Sequence, residues 1–498
     1  MSRPPLPLPP MRRPRPADLT ATFAGLPLPQ GNDLPPYRRR ELTLLIYAGV
    51  LATCALAALT LADVGQLSLG ILTIGLGFFC LWAIAHLAVR RFAPAADPVL
   101  LPVVVALNGL GLVMIYRLDL AKSEAAKQAG KHIPPSAAQV QLVWTLLAMI
   151  VFVLVLALVR DHRKLAKYAY TAGLAGIVGL MLPIVPGIGT SINGARLWLR
   201  VGPFSFQPSE VSKILILIFF SAYLVNKRDV LTYGSPTILG LKIPHARTLG
   251  PLLVAWLASL GILVVQNDLG SSLLFFGMFL VVLYVATERV SWILIGVGLF
   301  MGGAALAYPL FGHVQVRVDG WLHAFDGNNP SSTSYQLVQG LYGFAAGGIS
   351  GTGLGQGHPQ KVPFANTDFV MASLGEELGL TGVMAILTMY ALLVLRGMRA
   401  ALGAKDAFGK LLATGLSFTL GLQVFVQVGG VMRLIPLTGL TLPFVSYGGS
   451  SIVANAAIIA LLLRVSDGAR RAPEPPSDAP LFDPSAVSES PTQVVRTT

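Results

Sequence analysis

KVPFANTDFVMASLGEELGLTG, residues 361–382, decides the reading of this chain, because it sets acids at the head of a long apolar run. Asp368 opens that run, and Glu376 and Glu377 follow about two helical turns later, roughly 12 Å along the axis of a helix. A carboxylate at mid-bilayer costs about 2.5–3.5 kcal/mol even on lenient insertion scales, so an acid near membrane depth is a functional candidate. A helix cap followed by first-turn acids accounts for the same letters. The residues alone leave both readings open.

The run belongs to a series. Of 498 residues, 54% are hydrophobic and only 12% charged, which excludes an ordinary soluble protein. Apolar stretches of about 20 residues, enough to span a bilayer, occur near 43–63, 67–90, 98–117, 139–159, 168–186, 209–226, 249–265, 269–287, 290–311, 369–396, 407–432 and 450–465. The strands of a membrane barrel would alternate apolar and polar residues over short segments. These runs are continuous, and the expectation is an all-α polytopic membrane protein with about twelve transmembrane helices.

Positive charge in short loops orients such a chain. Arg38 to Arg40 precede the first span, Arg90 and Arg91 follow the second, and Arg160, Arg163, Lys164 and Lys167 follow the fourth. Lys227, Arg228, Lys242, Arg247, Arg289, Arg396, Arg399 and Lys405 fall on the same side of a twelve-span chain. Both termini are then cytoplasmic, and the loops at 187–208, 266–268, 312–366 and 433–449 face outward. The net charge of +13 is explained by topology, so no nucleic-acid partner is inferred.

The tails read differently. Residues 1–41 interleave prolines with Arg12, Arg13 and Arg15, and residues 467–498 carry prolines, serines and threonines. Both compositions predict disordered cytoplasmic tails. The first lacks the h-region and cleavage site of a secretory signal, so the first span stays as an anchor. Cys54 and Cys80 fit no metal spacing and read as core thiols; the histidines form no HxxxH or HExxH pair.

Chemistry concentrates in the outward loops. Arg196 and Trp198 precede a span that opens with Glu210 and Lys213, three apart and so on one helical face. They can form a salt bridge beside an interfacial tryptophan, or meet a phosphate and a hydroxyl at the membrane surface. Asp268 lies in a turn so short that it must sit against apolar helices, either as an N-cap or orienting a buried cation. The large loop 312–366 carries Arg317, Asp319, Trp321, Gln336 and Gln339 and then a glycine-rich run, 347–357, that fits neither GxGxxG nor GxxxxGK[ST]. Close backbone approach or a re-entrant segment remains. The SYGGSS run at 446–451 is no nucleophile elbow.

Taken in order, QPSE with a lysine three after the glutamate (207–213), DLG (268–270), the glycine-rich loop, TDF with GEELG (367–379), IPLTG (435–439) and SYGGSS resemble the SEDS family of RodA/FtsW peptidoglycan polymerases over about 98–466. VPFANTDF and RLIPLTGL look closer to the elongation-type RodA branch. The resemblance implies a ten-helix glycosyltransferase core, 93–466, with two added helices at 42–92. It also implies polymerisation of lipid II at the outer face of the bacterial plasma membrane during elongation and cell-shape maintenance, with a class B penicillin-binding protein as partner. It carries the family's essential acid onto Asp368, and other functional positions onto Trp198, Glu210, Lys213 and Asp268. Two departures are Asn366, where many members have His, and Arg433, where many have a small or polar residue.

Glycosyl transfer needs a base for the acceptor hydroxyl and a stabiliser for the departing pyrophosphate. Asp368 can be the base. Arg196, Lys213 and Arg317 can neutralise phosphate, with Glu210 holding Lys213 and Gln339 a further substrate-binding candidate. The sequence does not say whether a divalent cation shares the work. Competing readings are a lipid-precursor flippase, which predicts inverted repeats that are not found here, a division-type FtsW polymerase, and a non-catalytic scaffold.

Overall fold

The computed structural model describes residues 36–64, 69–132, 135–192, 195–202, 204–233, 237–238, 241–242, 246–326 and 331–471, so most of both expected tails lies outside the described residues. Each apolar run becomes a helix. In chain order they are α1 (Pro36–Val64), α2 (Leu69–Phe92), α3 (Leu100–Gln128), α4 (Ala137–Leu158), α5 (Ala169–Met181), α6 (Pro208–Tyr233), α7 (Ala246–Val265), α8 (Leu269–Thr287) and α9 (Ser291–Leu310). After two helices of the large loop, α10 (Gly312–Leu322) and α11 (Tyr335–Gly347), come α12 (Val370–Gly403), α13 (Ala407–Val431) and α14 (Gly449–Arg470). Among the described residues, 11 helices are long and apolar enough to cross a membrane. A shorter apolar stretch, Gly250–Val265 in α7, supplies the twelfth expected run.

The centre of the bundle is α3, α6, α13 and α14, buried along most of their length. Of α9, by contrast, only Trp292 and Gly296 are buried. Three features differ from the expectation. Loop 187–208 folds into a small antiparallel sheet, β1 (Gly189–Ile192), β2 (Ala195–Val201) and β3 (Phe204–Phe206), in the order β1-β2-β3. Cys54 and Cys80 are exposed on the outer surfaces of α1 and α2 rather than in the core. The first helix begins at Pro36, inside the stretch expected to be a disordered tail.

The early start has a physical cause. Arg38 and Glu41 are buried, and the Arg38 guanidinium donates to the carboxylate of Glu41 and to the carbonyls of Ala93, Pro94 and Ala96. His86 Nδ1 of α2 lies 2.9 Å from the other oxygen of Glu41. One carboxylate thus joins α1, α2 and the turn that leads into α3. At the same end of the bundle Arg464 of α14 donates to the carbonyls of Phe92 and Leu156, while Asp467 accepts from Ala95 N at 2.8 Å. Arg470 reaches Asp97 Oδ2 at 2.6 Å.

Removing one partner of a buried pair leaves an uncompensated charge. Glu41→Ala is expected to cost about 3–5 kcal/mol, read as a lower melting temperature of the purified protein and earlier proteolysis between α1 and α3. Glu41→Gln, which keeps an acceptor for Arg38, loses less.

Candidate active site

Asp368 is placed by a broken helix. α12 is interrupted at Gly379, whose φ of 67° and ψ of −171° lie outside helical space and leave a half-helix, 370–378, ahead of the long span. A Cβ at Gly379 would sit 2.2 Å from Gly351 N, and one at Gly351 would sit 2.2 Å from Glu377 O, so this crossing admits glycine alone. The glycine-rich loop is therefore a close backbone approach. Thr352 N and Gly353 N donate to the carbonyls of Glu376 and Glu377 at 3.0 Å each.

The two glutamates that drew attention in the sequence turn out to be structural. Glu377 pairs with Arg117 of α3 at 3.1 Å and accepts from Gly355 N at 3.0 Å. Glu376 accepts from His358 N at 2.6 Å. Arg117 also donates to the carbonyls of Gly355 and Gly357. Together these bonds fasten the loop to the half-helix and leave neither acid free for chemistry.

Asp368 behaves otherwise. The cap position of α12 is Phe369 and no side chain caps the helix, so the capping reading of Asp368 does not hold. Its backbone is secured from three sides: Gln427 Nε2 of α13 donates to Asp368 O at 2.5 Å, Ser446 Oγ donates to Thr367 O at 2.6 Å, and Tyr447 N donates to Asn366 O at 2.7 Å. Gln427 and the SYGGSS run, far apart from TDF in the chain, are the cradle for it, and a Cβ at Gly439 of IPLTG would lie 3.8 Å from Asp368 Oδ2. The carboxylate is half-buried and within electrostatic reach of Arg317. Burial pushes its pKa above the usual carboxylate range, against the opposing pulls of Thr367 and Arg317.

Arg317 lies within electrostatic reach of both Asp268 and Asp368. Its Nη1 donates to Leu437 O at 3.1 Å and Thr438 O at 3.0 Å, while Nε and Nη2 have no hydrogen-bond partner among the described residues. Burial lowers its pKa, and the charges of Asp268 and Asp368 hold it up. Asp268 caps α8 by accepting from Ser271 N at 2.9 Å and lies 3.4 Å from Gln207 Nε2 of the QPSE motif. Burial raises its pKa as well, against Ser271 and Arg317 and with repulsion from Glu210. The N-cap reading of Asp268 therefore holds, and among the described residues it makes no ion pair with a cation.

Glu210 and Lys213 form a buried pair, 2.6 Å apart, and Lys213 Nζ also donates to Gln423 Oε1 at 3.0 Å. Gln423 in turn donates to Thr441 O at 2.9 Å. Asp268, Arg317, Asp368, Glu210 and Lys213 thus gather around residues 437–441. The other three candidates stand apart. Arg196 is exposed on β2 with no ion pair among the described residues, Trp198 is half-buried on the same strand, and Gln339 is half-buried on α11 without a hydrogen bond to the group.

Gln423 and Gln427 are the residues that sequence reasoning passed over. They were visible as two amides four apart in an apolar helix, hence on one face. Among the described residues no three His, Cys, Asp or Glu side chains come together to hold a metal ion. The cation within electrostatic reach of both Asp268 and Asp368 is Arg317.

Residues 98–471 match the FtsW/RodA/SpoVE family, described as cell cycle proteins. The peptidoglycan glycosyltransferase RodA of Mycobacterium tuberculosis is 52% identical over 439 residues, covering 88% of this chain and 92% of that protein. The RodA of Mycobacterium leprae is 49% identical over 88% of this chain and 92% of its own length. A probable FtsW of Geobacter metallireducens is 34% identical, over 74% of this chain and 94% of its own. In three dimensions the chain resembles a component of a peptidoglycan synthase complex that coordinates polymerisation and crosslinking, with a TM-score of 0.59 and 28% identity over 75% of this chain and 98% of the other. It also resembles an alanine mutant of the rod-shape-determining protein RodA of Thermus thermophilus, with a TM-score of 0.51 and 27% identity over 76% and 99%. This chain belongs to the FtsW/RodA/SpoVE family.

Proposed function

We propose that this multi-pass membrane protein is a peptidoglycan glycosyltransferase that polymerises lipid II, the elongation-type member of its pair. Support for the branch is the identity to mycobacterial RodA, 52% against 34% for the FtsW relative. The observation that carries the chemistry is Asp368, the acid of the outward cluster that caps no helix and makes no close ion pair, half-buried beside Arg317. The Lys and Arg distribution supports an orientation in which this end faces outward and both termini are cytoplasmic.

In the transfer step, an acceptor sugar hydroxyl attacks the anomeric carbon of the donor. The carbon–oxygen bond to the lipid pyrophosphate breaks, and the hydroxyl proton passes to the Asp368 carboxylate. Arg317 is oriented by Leu437 O and Thr438 O, and its remaining N–H groups can meet the charge that develops on pyrophosphate. Lys213 is already bound by Glu210 and Gln423, so it contributes field and holds the cradle. Arg196, exposed and unpaired among the described residues, is placed to attract an anionic headgroup. A class B penicillin-binding protein is the partner that cross-links the product, and the likeness to a complex coordinating both activities supports it.

Labelled lipid II and purified protein, with and without that partner, test the assignment. Asp368→Ala and Asp368→Asn are expected to lose about 10²–10⁴-fold in rate. A carboxyl whose pKa is raised by folding makes its charged form a cost to the fold above that range. Asp368→Asn should therefore melt no lower than wild type at neutral pH, and unfolding cannot explain its loss. Normal polymerisation by both variants would remove Asp368 from the chemistry.

The acid limb of the pH–rate profile should lie above the ordinary carboxylate range, with rate falling as pH falls through the raised pKa. Arg317 pulls that pKa down, so Arg317→Gln should move the limb to higher pH as well as slow the reaction. An unmoved limb would show that some other group sets it.

A further inference from the structure

The family match starts at residue 98, after α1 and α2, yet α1 reaches the loop that holds the half-helix. Leu56 and Leu59 are 2% and 1% exposed and pack with Val113 of α3, and Leu354 of the glycine-rich loop sits against this group. A Cβ at the next residue, Gly355, would lie 3.9 Å from Leu59 Cγ. Around Leu354, Thr352 N and Gly353 N bind the Glu376 and Glu377 carbonyls, Gly355 N binds the Glu377 carboxylate, and Arg117 holds the carbonyls of Gly355 and Gly357. Residues 370–378 then carry any displacement along about 13 Å of helix to Asp368.

We propose that α1 is a positioning element for glycosyl transfer: Leu59 seats Leu354, which keeps the glycine-rich loop on Glu376 and Glu377 and so fixes the place of Asp368. This rests on the reading of Asp368 as the base. Misplacing a reacting group by about 1 Å can cost up to 10²-fold in rate, so a methyl-scale change at the far end of α1 should register in turnover. An α1 that served as an anchor alone would leave turnover unchanged once the protein is in the membrane.

The experiment uses the full chain with its class B partner and labelled lipid II, comparing wild type with Leu59→Ala, Leu354→Ala, the double variant and Leu44→Ala. Leu44 lies on α1 with 42% exposure and serves as the control. The expected result is a kcat about tenfold lower for Leu59→Ala and Leu354→Ala at unchanged KM. The double variant should be no slower than the worse single, because one contact is being removed twice, and Leu354→Met should recover most of the rate. Amides of Thr352, Gly353 and Gly355 should exchange faster with solvent in both single variants, and Leu44→Ala should match wild type throughout. Wild-type kcat in variants whose loop amides exchange faster would overturn the proposal, as would equal loss in Leu44→Ala or additive losses in the double variant. If the alanine variants do not fold, Leu59→Met and Leu354→Ile are measured in the same way and judged by the same outcomes. An inactive wild type would instead remove the polymerase reading, whereas unchanged loop exchange would remove the seating by Leu59 regardless of activity.

Discussion

A helix interrupted at membrane depth is tolerated where protein takes the place of water for the freed backbone groups. At Gly379 that task falls to the glycine-rich loop, whose Thr352 and Gly353 amides take up the carbonyls of Glu376 and Glu377. The direction of the half-helix that leads from Asp368 follows from this substitution. Without it the half-helix 370–378 would lose its anchor at one end, and Asp368 would be held only by the bonds from Gln427, Ser446 and Tyr447 at the other. The glutamates and Arg117 are the fastening, and these bonds explain how acids can sit in an apolar run.

The cluster around residues 437–441 is built on unequal compensation. Glu210 and Lys213 neutralise one another and share Gln423, so their charges are spoken for. Asp268 has a helix terminus and Gln207. Among the described residues Arg317 keeps donors unused and Asp368 makes no close ion pair, so in the reaction proposed above these are the groups open to a phosphate and a hydroxyl. A group that is fully satisfied in the resting protein has little to offer a transition state; one held in place through its backbone, as Asp368 is by Gln427, keeps its side chain available.

Much of this was legible in the letters, for definite reasons. The spans were readable because continuous apolar runs have one physical use, and Asp368 because an acid at the head of such a run demands an account. Asp268, Glu210 and Lys213 announced themselves by short turns and helical spacing. Arg117 and Glu377, 260 positions apart, could not be paired from the chain, and so the glutamates looked more reactive than they are. The sheet at 189–206 hid in strands of three to seven residues, too short for periodicity to register. Arg38 and Glu41 resembled tail because a charged residue is read as solvated until a buried partner is seen, here the carbonyls at 93–96 and His86.

The cluster that holds Asp268 and Asp368 draws on Gln207, Arg317, Gln427 and Tyr447, a span of sequence that bears on how the protein is made. At about 5–20 residues per second, the ribosome takes on the order of 10–50 s to travel from the first of these to the last. Lys213 and Asp268 are thus made before the amides of α13 that bind Lys213 and Asp368 exist. The nascent chain must hold polar side chains in the bilayer unfinished, and the centre closes only when the final helix is delivered. A chain cut short before α13 lacks Gln427, Ser446 and Tyr447 and with them the bonds that hold the Asp368 backbone.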